Sequence, residues 1–289
     1  MTHNQSMRRG QALIIILLIL AVITTIGLSV ASRSVTEVST SVTSDEGTRA
    51  LSAAESGVEY ALSMGSGGVN SDIGYTVTVE SQNSSAQVIL TDKLKAGEIG
   101  TVFLAPHSSN GMLDTTSTYN GNKFNVCWGK SGTPNDNSAP AIEVDLYYFE
   151  ENVYKISRLA YDPNSSRITS SNNNFSTLSS GFNISSDCPS GSAFAFGTQI
   201  GLNANGFGVS TNNLLFLQIR PFYNGDVAHV VGVKNGTGGG GDSFPAQGTI
   251  ITSTGTAGVS TKKVQVLQTY GAPYSIFTSA VFSGSDLVK

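Results

Sequence analysis

The chain has 289 residues, of which only 12% are charged, with a formal net charge of −4 and a pI near 5.3. With 16 Lys and Arg against 20 Asp and Glu it carries no basic footprint for nucleic acid. A hydrophobic fraction of 39% at so small a net charge also excludes wholesale disorder, and 40 Ser, 27 Thr, 21 Asn and 32 Gly leave a neutral mixture suited to strands and turns outside the cell.

Arg8 and Arg9 precede Gly10, and no further charge occurs before Arg33. From Ala12 to Ala31 the residues are apolar except Thr24, Thr25 and Ser29. As a helix rising about 1.5 Å per residue, this run matches the roughly 30 Å hydrocarbon core of a bilayer. The two arginines place the N-terminus on the cytoplasmic side and the remainder of the chain outside. Helical spacing then continues through Val35, Val38 and Val42, and through Leu51, Ala54, Val58 and Leu62. One helix over 11–64 is expected, with its membrane part at 12–31. The Ser/Thr-rich stretch 34–44 weakens it, and Gly47 marks where an interruption would fall. Thr24, Thr25, Gly27 and Ser29 are candidate helix-packing residues, because small and hydroxylated side chains allow close approach in an apolar setting. Readings that compete for the segment are a signal peptide cut after Ser29-Val30-Ala31, a simple membrane anchor, or the first half of a longer helix with a packing role beyond the membrane.

Ser63-Met64-Gly65-Ser66-Gly67-Gly68 stops the helix, so 65–72 reads as a linker and 73–289 as an extracellular head. There the period becomes two. Strands are expected at 75–80, 86–91, 99–105, 123–128, 141–150, 153–161, 214–222, 226–233, 247–253 and 262–270. Glu151-Asn152 joins a hairpin, and Asn224-Gly225 is the strongest hairpin signal by composition. A last hairpin is expected around 255–260. The fold class is therefore α+β, a long N-terminal helix followed by a mostly antiparallel β-rich head. Residues 163–213 read as a loop-rich insertion, suited either to binding or to a poorly ordered spacer.

Cys127 and Cys188 both fall outside the membrane segment, where a disulfide is the default; two free thiols are the alternative. His3, His107 and His229 are scattered and no CxxC occurs, so no metal site is expected. No G-x-S-x-G or H-E-x-x-H is present. The glycine run 236–241 formally matches a dinucleotide fingerprint but leads into Asp242-Ser243-Phe244-Pro245 rather than a helix, and reads as a loop. Asp162–Ser166 and Asn135–Asn137 read as turns rather than Ca²⁺ loops. Glu55 and Glu59 share a helix face and read as a solvated or inter-subunit face rather than as paired catalytic carboxylates. No catalytic residue, cofactor or nucleic-acid partner is expected. The chain reads as a non-enzyme, with a secreted hydrolase as the least favoured class.

The combination of a short basic leader, a glycine at its end, an apolar run and the later Ala-Ala-Glu segment (Arg49–Leu62) resembles the type IV pilin superfamily, and within it the PilX-type minor pilins. The resemblance covers about residues 7–64. It implies a leader at 1–10 containing Arg8 and Arg9, cleavage by prepilin peptidase after Gly10, and Gln11 as an N-methylated mature N-terminus. It further implies helix packing against other pilin subunits, membrane lipid around the precursor, and a cell-surface filament once assembled. The expected role is minor pilin or pseudopilin, in assembly or initiation of a pilus or secretion filament, with surface adhesion as a further role. Ile15 stands where most members of the family carry a glutamate, a departure that suits a tip or initiating subunit. The alternative is a secreted or singly anchored extracellular adhesin with a β-rich domain.

Overall fold

The computed structural model describes residues 6–82, 85–108, 111–209, 213–236 and 243–273, with only the helical backbone for 6–12. In chain order the elements are α1 (Ser6–Met64), β1 (Gly68–Asn70), β2 (Tyr75–Gln82), β3 (Gln87–Ile89), β4 (Gly100–Phe103), β5 (Lys123–Lys130), β6 (Ala141–Glu150) and β7 (Val153–Tyr161). They continue with α2 (Ser165–Ser171), α3 (Ile184–Asp187), β8 (Phe194–Gly201), β9 (Leu214–Phe222), β10 (Val231–Asn235), β11 (Gly248–Ala257) and β12 (Ser260–Thr269). The α+β class stands: one long apolar-then-packed helix followed by antiparallel sheets.

The chain divides into two compact units, Met1–Val79 with Ile251–Val266, and Glu80–Ile250 with Leu267–Lys289. The head expected at 73–289 is thus shared between them. In the first unit, β1, β2, β11 and β12 form one sheet in that order. The linker expected at 65–72 contains β1, which pairs antiparallel with β2 from Gly68↔Val77 to Asn70↔Tyr75. Helix α1 is unbroken through Gly47. The single helix expected over 11–64 is present, and the threonine hydroxyls on either side of Gly47 donate to the helix's own carbonyls: Thr36 to Ser32, Thr40 to Thr36, Thr43 to Ser39 and Thr48 to Ser44, at 2.8–3.0 Å.

The second unit is a sandwich of two four-stranded sheets, ordered β3-β10-β5-β8 and β4-β9-β6-β7. Alternation along the strands builds its core. Phe124, Val126 and Trp128 on β5 and Val231 and Val233 on β10 meet Ile142, Val144 and Leu146 on β6 and Leu217 and Ile219 on β9. Each is fully buried. The Trp128 indole N–H donates to the Pro140 carbonyl at 2.7 Å, so the largest core side chain leaves no orphan donor.

Three expectations are corrected here. The loop-rich insertion at 163–213 contains α2, α3 and the eight-residue strand β8, which pairs with β5 along its length. Asn164 and Asn183 are not loop filler but N-caps, accepting from the Arg167 and Ser185 amides. The strands flanking Asn224-Gly225 do not pair with each other: β9 lies between β4 and β6, while β10 lies between β3 and β5. Positive φ falls on Tyr223 and Gly225, and the turn hands the chain from one sheet to the other. The type I′ geometry instead sits at Glu151 (φ 53°) and Asn152 (φ 62°), between the fully paired β6 and β7. The last hairpin is tighter than expected, closing at Gly258 and Val259 between β11 and β12.

Candidate functional site: the exposed apolar helix and its packed end

Helix α1 has 59 residues and three physically distinct stretches. Every large apolar side chain from Leu13 to Val30 is 48–75% exposed, and no ionisable group lies between Leu13 and Ala31. This stretch is long and apolar enough to cross a membrane, compatible with a single-pass anchor. Its polar side chains are already satisfied. The Thr24 hydroxyl donates to the Leu20 and Ala21 carbonyls, and that of Thr25 to Val22, each at 2.9 Å. Hydroxyls folded back onto the backbone turn their methyl groups outward, which lowers the cost of an apolar surrounding. Gly27 has open space beside it and Ser29 is exposed, so these four packing candidates are on the surface without a neighbour from their own unit. Ile15 is likewise exposed and uncharged. The helical backbone runs through Arg8, Arg9, Gly10 and Gln11, whose side chains lie outside the described residues.

The stretch 32–45 is also exposed all round. Beyond it the helix packs on its own sheet along only part of the expected stripe, through Ala54 and Val58 but not Leu51 and Leu62. Leu51 and Leu62 are 41% and 49% exposed, whereas Ala50, Ala53, Ala54, Val58 and Ala61 are buried. The sheet comes too close for larger groups. A methyl at Gly255 would overlap the Ala50 carbonyl oxygen and the Ala54 amide nitrogen, and one at Gly57 would strike the Ser253 hydroxyl and the Tyr75 ring. Contact begins at Glu46, whose carboxylate accepts the Val259 amide at 3.1 Å. Glu55 and Glu59, on the opposite face, are exposed. The signal sequence reasoning missed was this small-residue pattern, which it treated as a resemblance rather than as a packing surface.

In the second unit Cys127 and Cys188 form a buried disulfide, with Cα atoms 5.7 Å apart. It ties β5 to the residue after α3 and packs with Phe194, Ile89, Phe182 and Val230. Asp162, an oxygen-rich turn in sequence, has its carboxylate occupied by Arg167 (Nε–Oδ2 2.7 Å, Nη2–Oδ1 2.6 Å) and by the Asn164 amide and Asn173 side chain. Asp136 closes its own turn by accepting from the Ser138 amide and hydroxyl. Among the described residues no cluster of three His, Cys, Asp or Glu is placed to hold a metal. The glycine run lies mostly outside the described residues, from 237 to 242.

Sequence reasoning also missed a charged band across one sheet face. Asp145 on β6 takes Arg158 of β7 in two bonds of 2.7 and 3.0 Å. Glu143 lies 3.7 Å from Arg220 on β9 and 3.8 Å from Arg158. Burial, and then the neighbouring Asp145 charge, push the Glu143 carboxyl up from its ordinary value. A cleft of about 220 Å³ lies beside β3 and β4, walled by Leu90, Leu94, Phe103 and Tyr270. The Gln247 amide at its wall is bonded to both the N–H and C=O of Phe103, at 2.7 and 3.0 Å.

No protein-family model matches the chain, and no curated protein matches it. Among solved structures, the crystal structure of Thermotoga maritima 1070 aligns at 7% identity over 66% of this chain and 97% of that one, with a TM-score of 0.18. A likeness at that score carries no inference about fold or function.

Proposed function

We propose that the chain is a pilin-like minor subunit, anchored by residues 12–31 before assembly and carried into a filament by α1. The observation that supports this most is the helix itself. A lipid-length apolar segment continues without a break into a stretch packed on the chain's own sheet. A simple anchor requires only about 20 residues, and a signal-peptide core fewer. In this reading Arg8 and Arg9 hold the leader in the cytoplasm, prepilin peptidase cuts after Gly10, and Gln11 becomes the mature N-terminus. Ile15 removes a carboxylate that would otherwise need a partner in an apolar layer, which suits a subunit with no neighbour above it. Assembly energy comes from burying exposed side chains among neighbouring helices, not from chemistry at a site. The protein is proposed to act in filament initiation or assembly and surface attachment, not as an enzyme.

Mass spectrometry of the mature N-terminus tests this. A chain beginning at methylated Gln11 is expected, and Gly10→Leu should leave full-length precursor in the membrane. A chain beginning at Ser32, or an uncut one, refutes the pilin reading and leaves the anchored or secreted adhesin.

A further inference from the structure

Among the described residues other than glycine, six have positive φ: Glu151, Asn152, Asn172, Asn174, Asn213 and Tyr223. Asparagine enters that region at little cost. A bulky ring at φ 68° is a strained exception, kept only where its surroundings hold it. Asparagine or glycine would make the same turn with less strain, so the turn alone does not explain a tyrosine at 223. One face of the ring is backed by the Arg167 guanidinium, 4.1 Å from its centre. That guanidinium is itself fixed by Asp162 and by the Asn137 and Ala139 carbonyls. The Phe175 and Phe222 rings stand beside it, with centroids 6.1 and 6.4 Å away. Tyr223 nevertheless remains 45% exposed. It is a held ring with one face covered and the other open.

The run Asn172-Asn173-Asn174 leads directly into Phe175. Asn173 anchors the run: its side-chain amide donates to Asp162 Oδ2, and its Oδ1 accepts the Phe175 amide, each at 3.0 Å. Asn172 and Asn174 are exposed. From Pro163 to Ser186 the one charged residue is Arg167, and Asp162 matches it in a buried pair.

We propose that Tyr223 and Asn174 form the centre of a binding surface for a neutral oligosaccharide. A pyranose has an apolar face of C–H groups and a rim of hydroxyls that both donate and accept. The open face of the Tyr223 ring matches the first. A primary amide, with a donor and an acceptor side by side, matches a pair of neighbouring hydroxyls on the second. A charged ligand finds no counterpart here, because Arg167 is engaged by Asp162 and two carbonyls. A stable protein partner needs about 800 Å² of contact on each side, more than one half-exposed ring and two amides supply. A sugar ring has about the area of the tyrosine ring. The proposal adds a ligand class to surface attachment, but it stands on the second unit alone and does not depend on the pilin reading.

Isothermal titration of the full-length chain, in a detergent without a sugar headgroup, tests it with maltohexaose, cellohexaose, mannohexaose and N-acetylchitohexaose as probes. At least one should bind saturably, with a dissociation constant below about 1 mM. Tyr223→Ala should weaken that binding at least about tenfold and Asn174→Gly at least about threefold, whereas Tyr223→Phe, which keeps the ring, should stay within about twofold. Glycine accepts the φ of 60° at Asn174, so Asn174→Gly should leave the melting temperature nearly unchanged and its weaker binding cannot come from unfolding. No saturable binding of any probe overturns the proposal. So does binding by Tyr223→Ala or Asn174→Gly as tight as that of the unsubstituted chain, or a Tyr223→Phe variant as weak as Tyr223→Ala.

Discussion

Replacing Arg167 should strongly destabilise the second unit. Its guanidinium, 8% exposed, donates two bonds to Asp162 and one each to the Asn137 and Ala139 carbonyls, and lies 4.1 Å above the Tyr223 ring. Asp162 is 1% exposed. Arg167→Met removes the only cation bonded to that carboxylate among the described residues, leaving it the Asn164 amide and the Asn173 side chain. Stranding one member of a buried ion pair costs about 3–5 kcal/mol. For a unit of roughly 150–250 residues, each kcal/mol moves the melting temperature by about 2–4 °C, so a fall of about 6–20 °C is expected. Near-UV circular dichroism of the detergent-solubilised chain, through heat and urea, measures it. Asp162→Asn combined with Arg167→Met should lose less than Arg167→Met alone, because no charge is then stranded. A single-variant cost below about 1 kcal/mol, or a double variant no better than the single, refutes the assignment.

Gly255→Val in the first unit forces side-chain atoms into the Ala50–Ala54 backbone, and should cost about 1–3 kcal/mol or more, read as faster proteolysis of the 46–62 helix; unchanged protection refutes the close contact. Cys188→Ser opens a disulfide between residues 61 apart and should cost about 4 kcal/mol in the chain-entropy model, checked by urea unfolding; a loss below about 1 kcal/mol refutes it. Acid should weaken the second unit. Burial holds His107 and His229 below the ordinary imidazole value, and the His229 Nδ1 accepts the Lys130 amide at 3.1 Å. The unfolded chain then binds protons more readily, so this stability is complete above about pH 6.5 and is lost as pH falls through that value toward the folded pKa. Melting temperatures between pH 8 and 5.5 should fall, and less steeply in His229→Gln; a flat profile contradicts this.

How far the fold was readable from residues alone depended on whether the deciding interaction was local. Alternation along AIEVDLYYFE and VYKISRLAY placed β6 and β7, because one face of each strand meets the core. β8 escaped notice because FAFGTQIG lies between Ser- and Asn-rich stretches whose caps and short helices resemble loop in composition. Asn224-Gly225 misled for a related reason. Its composition suits a tight hairpin, but pairing to β3, β4, β5 and β6 outweighs a local turn preference. The expected stripe on α1 weighted leucines by hydrophobicity, whereas the approach of Gly255 admits only alanine and glycine at the contact.

By itself the sequence determined what depends on composition and local period: a lipid-length uncharged helix and a β-rich remainder. Tertiary structure alone decided which strands share a sheet, that the fold returns β11 and β12 to the sheet of β1 and β2, and that the Asp162 carboxylate is bonded by the Arg167 guanidinium. Those outcomes turn on distances between residues far apart in the chain, which spacing along the sequence does not encode. The few charges are placed by the fold: between Leu13 and Ala31 there are none, and in the second unit arginines and acids pair with one another across neighbouring strands.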